Sequence, residues 1–130
     1  MNLQNQMKQL FGGSCYCYCI AKLFSGSDDI KKLTTYVLSG WVKGYIDDDG
    51  FVSKPLEYIK LVGGEAYRDV EKPSIKSLKD LPTNEDYIVE YVYYNSSHFV
   101  IANRDGVVFD PAGNSNSVMY GRVVSYRRFV

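Results

Sequence analysis

The first half of the chain places apolar residues at helical spacing. Residues 15–24 follow two glycines and Ser14, a candidate N-cap, and contain good helix formers, which predicts a helix with Cys15 in its first turn. A second helix is predicted after Ser27, because an apolar stripe recurs at i, i+3, i+7 and i+11: Ile30, Leu33, Val37 and Trp41. A third helix is predicted over residues 56–62, after a proline and before two glycines.

The second half of the chain has the pattern of β-strands. Turn residues separate four β-branched and aromatic runs, YIVEYVYY, HFVIAN, GVVFD and GRVVSYRRFV, which predict an antiparallel meander. Helices followed by strands are typical of an α+β fold in which a C-terminal antiparallel β-sheet packs on N-terminal helices. Repeats, low-complexity tracts and linkers are absent from the sequence, so residues 1–130 are expected to form a single domain.

The charge balance narrows the range of partners. The 15 Lys and Arg residues equal the 15 Asp and Glu residues in number, so no excess of positive charge favours nucleic acid or an anionic membrane. The longest run without a charged residue, 9–21, is shorter than the roughly 20 apolar residues of a membrane-spanning helix. The polar N-terminal segment does not have the shape of a secretory signal, so a cytoplasmic protein is expected.

Cys15 is the first candidate for chemistry. A thiol in the first turn of a helix lies at the positive end of the helix dipole, which lowers its pKa and favours the nucleophilic thiolate. A free cysteine is also often a small buried residue, and position alone leaves that alternative open. We interpret Cys17 and Cys19 as core residues. The three cysteines are poorly placed to form a zinc site, because residues two apart on a helix point in different directions and the chain has only 1 histidine to complete the ligand set. No metal or cofactor is therefore expected.

His98 and Asp110 are the candidate partners of that thiol. His98 begins the run HFVIAN, and an imidazole can take a proton from a thiol and later deliver it to a leaving amine. If Asn103 pairs with Val107 across a three-residue loop, His98 and Asp110 are diagonal neighbours on one face of the hairpin. A two-residue loop would place them on opposite faces. Each residue also has an ordinary alternative, as a strand-edge histidine and as a turn-forming aspartate before proline.

The acidic segment Asp47-Asp48-Asp49-Gly50 is a weaker candidate. A calcium-binding EF-hand loop alternates its oxygen ligands and carries a glutamate at position twelve, which is Tyr58 in this sequence. We therefore interpret the segment as a solvated turn.

The chain order Cys, His, Asp resembles that of the papain-like cysteine peptidase superfamily. Gln9 lies six residues before Cys15, the spacing of that superfamily's oxyanion-hole glutamine, and Gly-Ser-Cys-Tyr at 13–16 is similar to the papain nucleophile segment. Cys15 and His98 are closer in sequence than the roughly 130 to 150 residues of papain-type enzymes. The resemblance is therefore closer to compact members, and HFVIANRDGVVFDP is similar to the His-hairpin-Asp-Pro segment of C39-type bacteriocin-processing peptidases and their bacterial and phage relatives.

The resemblance implies a papain-like fold and a cysteine peptidase that acts on a peptide or protein substrate. Cys15 would be the nucleophile, His98 the general base and then the general acid, and Asp110 would orient His98. The Gln9 side chain and the Cys15 backbone N–H would bind the oxyanion, and the reaction would need no metal or cofactor.

Several alternatives stay open at this point. Gln6 or Gln4 could replace Gln9 if the N-terminal segment were placed differently. The same residues would also serve a thiol amidase of the NlpC/P60 type that acts on peptidoglycan. A non-catalytic binding module on the same scaffold is the alternative from a different class of function. The sequence predicts neither the natural substrate nor the oligomeric state.

Overall fold

The structure, a computed structural model, describes residues 2–113 and 115–130. The chain divides into two compact units, the first ending at Arg68 and the second beginning at Asp69. The first unit is helical and the second is built around antiparallel strands, so the predicted α+β class is confirmed. The prediction that residues 1–130 form a single domain stays a prediction.

Four α-helices occupy the described part of the first unit. They are α1 (Leu3–Gly12), α2 (Cys15–Ser25), α3 (Ile30–Val42) and α4 (Pro55–Leu61). Apolar side chains from all four helices and from the segment before α4 are buried: Leu10, Ile20, Leu33, Val37, Ile46, Val52, Tyr58 and Ile59. This burial supplies the main stabilisation of short helices that would be marginal in isolation.

The predicted helices in this unit are present, with one shifted start. The helix α3 begins after Asp29 rather than directly after Ser27, because the Asp29 carboxylate accepts a hydrogen bond from the Lys31 N–H at 3.0 Å. In the predicted apolar stripe, Leu33 is buried, whereas Ile30 is 60% exposed. The stripe therefore begins one turn later than the pattern indicated.

Helix α1 is an element that the sequence pattern did not predict. The Asn2 side chain caps it by accepting a hydrogen bond from the Asn5 N–H at 2.9 Å, and Leu10 is fully buried. Its four apolar residues recur at helical spacing from Leu3 to Phe11, but the other positions are mostly polar. This helix carries Gln9.

The second unit contains six strands in its described residues. They are β1 (Val70–Glu71), β2 (Tyr87–Tyr93), β3 (Ser96–Asn103), β4 (Gly106–Phe109), β5 (Arg122–Tyr126) and β6 (Arg128–Phe129). The main sheet has the order β4-β3-β2-β5, and β1 pairs with β6. The neighbouring pairs are antiparallel, as predicted. The predicted meander is wrong for the last strand, because β5 pairs with β2 at the other edge of the sheet rather than with β4.

Two short helices complete the second unit. They are a 3₁₀ turn over Leu78–Asp80 and the helix α5 (Asn116–Tyr120), and α5 was not predicted. One face of the main sheet carries a hydrophobic core of Leu81, Val89, Tyr91, Val100, Ala102 and Tyr126. His98 lies on β3 two residues before Val100, so it shares that face at the end of the core.

The hairpin between β3 and β4 has a tighter loop than predicted. Asn103 pairs with Gly106 rather than with Val107, so the loop has two residues and the prediction of three is wrong. Gly106 explains the difference, because its φ of 149° is a conformation that side chains disfavour and that glycine adopts readily. The strand β4 can therefore begin at the glycine itself.

A β-bulge restores the register that the tight loop would lose. The pairing shifts between Ile101 and Ala102, which makes Val108 an additional residue in β4. Without this shift, Asp110 would continue on the face opposite His98. The bulge therefore returns Asp110 to the side of the hairpin that carries His98, as predicted, although by a different route.

Among the helices in the described part of the chain, none has both the length and the apolar character needed to cross a membrane.

Candidate active site

Cys15 is the first residue of α2 and is partly buried. The preceding residue, Ser14, occupies the N-cap position, but its hydroxyl donates to the carbonyl of Phe11 at 3.0 Å. The hydroxyl is thus directed back toward α1 rather than over the first turn of α2. The first N–H groups of a helix lack intrahelical acceptors, so the backbone N–H of Cys15 is suited to donate a hydrogen bond to a negatively charged oxygen.

The other two cysteines are core residues, as predicted. All three are free, and Cys17 and Cys19 are fully buried. The Cys17 thiol donates to the carbonyl of Gly50 at 3.1 Å. Burial raises the pKa of the Cys17 thiol to about 12, so this residue stays protonated and inert at neutral pH. Cys15 is the cysteine whose exposure is compatible with reaction.

His98 and Asp110 form a hydrogen-bonded pair in the second unit. The Nε2 atom of His98 lies 2.7 Å from Oδ1 of Asp110, and their side chains are only 13% and 8% exposed. A charged carboxylate can only accept, so Nε2 is the donor of this bond. The neutral imidazole then carries its proton on Nε2, which leaves Nδ1 as the basic nitrogen.

The surroundings of Asp110 keep its carboxylate charged. Burial favours the neutral acid, but hydrogen bonds from His98, from the Ala112 N–H at 2.9 Å and from Ser115 outweigh it and hold the pKa of Asp110 below its ordinary value. An ionised Asp110 at neutral pH both orients the imidazole and stabilises its protonated form. The contribution of Ser115 was not visible in the sequence, because the serine lies beyond the predicted strands.

Gln9 lies in the last turn of α1 and is exposed. Its Nε2 atom donates to Oδ1 of Asp49 at 2.6 Å. The sequence pattern did not reveal this contact, because the two residues are 40 positions apart and Asp49 lies in the segment interpreted as a solvated turn. The predicted role of Gln9 in an oxyanion hole stays a prediction.

An open cleft of about 460 Å³ adjoins Asp110 in the second unit. The residues that line it are mostly apolar: Val107, Val108, Phe109, Asp110, Gly113, Ser115, Val118 and Met119. Part of this lining comes from the unpredicted helix α5. The cleft therefore offers an apolar surface beside the His98–Asp110 pair.

The four residues of the predicted site fall into two pairs, one in each unit of the chain. His98 and Asp110 are joined in the second unit, and Cys15 and Gln9 lie on successive helices of the first. No protein-family model matches the chain, and neither a curated protein nor a solved structure matches it. The assignment of the chain to the papain-like superfamily accordingly stays a prediction.

Proposed function

We propose that the protein is a cysteine peptidase with a papain-like fold, of the compact C39-like type. The observation that carries this proposal is the 2.7 Å hydrogen bond between His98 and Asp110. It gives the one histidine of the chain the carboxylate partner that a catalytic base needs. Cys15, at the start of a helix and partly exposed, is the matching nucleophile.

The first step forms a thioester. The Sγ atom of Cys15 attacks the carbonyl carbon of the scissile peptide bond, and the thiol proton passes to Nδ1 of His98. The other imidazole proton stays on Nε2, where its hydrogen bond to the Asp110 carboxylate stabilises the imidazolium. When the tetrahedral intermediate collapses, the C–N bond breaks and His98 delivers its proton to the leaving amine.

The second step releases the acid product. A water molecule gives its proton to His98 and attacks the thioester carbon, the C–S bond breaks, and the proton returns to the Cys15 sulfur. In both steps the oxyanion receives hydrogen bonds from the backbone N–H of Cys15 and the side-chain amide of Gln9. One such donor typically contributes a factor of about 10² to 10³ in turnover.

The apolar cleft beside Asp110 supports a peptide as the substrate. Ligand sites combine an apolar lining with a few polar groups that fix orientation, and this cleft joins the valines of β4 and α5 to Asp110 and Ser115. An apolar side chain of the substrate would occupy it, next to the bond that is cut.

Digestion of a proteome-derived peptide library tests the peptidase function. We expect new C-termini that incorporate ¹⁸O from labelled water when the wild-type protein is added. The variants Cys15→Ala and His98→Ala should produce none. Ser96→Ala is the matched control, because Ser96 is an exposed residue two positions before His98 on the same strand, and it should cleave like the wild type.

Three outcomes would contradict the proposal. Cleavage that persists in Cys15→Ala would assign the activity to another protein in the preparation. Cleavage of peptidoglycan fragments but not of linear peptides would favour the thiol amidase. Failure of the wild type to cleave either class would favour the binding module.

A further inference from the structure

The side chain of Gln9 is held by a residue far from it in sequence. Its Nε2 atom donates to Oδ1 of Asp49 at 2.6 Å, and both residues are exposed. An exposed glutamine would otherwise rotate about three side-chain torsions and spend little time in any one orientation. The contact with Asp49 selects one orientation.

The chemistry of the two groups determines which end of the amide is held. A carboxylate only accepts hydrogen bonds, so Asp49 binds the NH₂ group of Gln9 and disfavours the flipped amide. The NH₂ group has two hydrogens, and Asp49 takes one of them. The second hydrogen remains able to donate to another acceptor, which is what an oxyanion-hole amide requires.

The turn that carries Asp49 is itself held rigidly. The Oδ1 atom of Asp47 accepts hydrogen bonds from the Asp49 N–H at 2.9 Å and from the Phe51 N–H at 3.0 Å. The Gly50 N–H donates to the Asp47 carbonyl at 3.1 Å. Asp47 therefore fixes the backbone of the turn, while Asp49 projects its side chain outward to Gln9.

The same turn contacts the chain on both sides of Cys15. A Cβ atom added to Gly13 would overlap the carbonyl oxygen of Asp49, and one added to Gly50 would lie 2.5 Å from the carbonyl carbon of Gly13. On the other side of Cys15, the Cys17 thiol donates to the Gly50 carbonyl at 3.1 Å. The turn is thus fixed relative to the end of α1 and the start of α2.

We propose that Asp49 is a positioning residue that orients the Gln9 amide toward the oxyanion formed at Cys15. Among the exposed aspartates of the turn at 47–50, Asp49 is then the residue that supports the oxyanion hole. This inference rests on the proposed function, because it requires that Cys15 perform acyl transfer.

Two small probes separate the oxyanion hole from the nucleophile. p-Nitrophenyl acetate acylates a thiol through a tetrahedral oxyanion: a C–S bond forms, the ester C–O bond breaks and p-nitrophenolate leaves. Iodoacetamide alkylates the same sulfur by displacement of iodide at a tetrahedral carbon, without an oxyanion. The ratio of the two rates at Cys15, corrected for the reaction of Cys15→Ala, therefore reports on the oxyanion hole alone.

We expect Asp49→Ala to slow acylation about ten-fold, less than the roughly 10²- to 10³-fold effect of Gln9→Ala, while alkylation keeps its rate. Asp49→Asn retains an accepting oxygen without the charge, so it should acylate at least as fast as the wild type. Asp48→Ala is the matched control in the same turn, since the Asp48 carboxylate binds the Trp41 indole at 2.9 Å instead of Gln9. It should leave the rate ratio unaltered.

A double-mutant cycle completes the test. If Asp49 acts through Gln9, Asp49→Ala has no further effect on acylation in the Gln9→Ala protein. Wild-type acylation in Asp49→Ala, or additive effects of the two substitutions, would overturn the inference. Failure of the proposed function has a different signature, because wild-type Cys15 would then react with both probes like an ordinary thiol.

Discussion

Burial and hydrogen bonding give three nearby cysteines different chemistry. Cys17 and Cys19 are enclosed in the helical core, and Cys17 is committed to the Gly50 carbonyl. Cys15 retains partial exposure at the start of α2. Burial also strengthens the hydrogen bond between His98 and Asp110, because a partly buried hydrogen bond lies in a medium less polar than water.

The lowered pKa of Asp110 predicts how stability changes in acid. The ordinary pKa of this carboxyl is 3.8, and the folded value lies below it. The contribution of Asp110 to stability is therefore complete above about pH 4 and is lost as the pH falls through the folded value.

Urea denaturation of the wild type and of Asp110→Asn from pH 2 to 7 tests this. We expect the variant to have a lower free energy of unfolding near neutral pH, and the difference in free energy between the two proteins to shrink below pH 4. A difference that stays constant over this range would contradict the assignment.

At the residue scale, the sequence identified the candidate site residues whose type or strand position points to a chemical role. Cys15, His98 and Asp110 stand out because their residue types match a known mechanism and because alternation along the hairpin relates the last two. Asp49 and Ser115 do not stand out, because their roles depend on contacts made only after folding. The aspartates of the acidic turn are exposed, as predicted, but nothing in its sequence indicated the contact between Asp49 and Gln9.

At the scale of elements, the contact between the acidic turn and the end of α1 depends on Gly50. Gly50 has a φ of 84°, and a Cβ atom added there would lie within 3 Å of backbone atoms of Leu10 and Gly13. Gly26, at the end of α2, has a similar φ of 71°, but a Cβ there would meet no heavy atom within 4 Å. Substitution at Gly26 therefore measures the cost of the left-handed backbone alone, whereas substitution at Gly50 adds the cost of a steric overlap.

Alanine at these two glycines tests the packing of the turn. Gly26→Ala should lower the free energy of unfolding by about 1 kcal/mol, the usual cost of a left-handed backbone with a side chain. Gly50→Ala adds a steric overlap and should cost more than about 2 kcal/mol. Equal losses in urea denaturation would contradict the packing described for the turn.

Elements were predicted well where a periodic pattern and a strong terminator coincide. The bounds of α2 and α4 and the β2–β3 and β3–β4 pairs follow from such signals, whereas the β2–β5 pair does not. Helix α1 was not predicted, although its few apolar residues follow helical spacing, because most of its positions are polar. Helix α5 was not predicted because it has only 5 residues. The pattern also failed for the β3–β4 loop, because a bulge at Val108 compensates for a loop shorter than predicted.

At the scale of the whole molecule, the proposed mechanism needs residues from both units. The proposed nucleophile and oxyanion donor, Cys15 and Gln9, belong to the helical unit, and the proposed base and its carboxylate, His98 and Asp110, belong to the sheet unit. The central claim is therefore that Cys15 and His98 act as one pair. A thiol without such a partner has a pKa of about 8.5, so only about 3% of it is thiolate at pH 7.

The most direct measurement of this claim is the rate of Cys15 alkylation by iodoacetamide as a function of pH, in the wild type and in His98→Ala. Tandem mass spectrometry of the tryptic peptide 9–22, which contains all three cysteines, identifies the modified residue. We predict a wild-type rate that is near its plateau at pH 7, and at least about a ten-fold lower rate at that pH in His98→Ala. Ser96→Ala should behave as the wild type. A wild-type profile that follows an ordinary thiol and does not change in His98→Ala would contradict the account and favour a non-catalytic binding module.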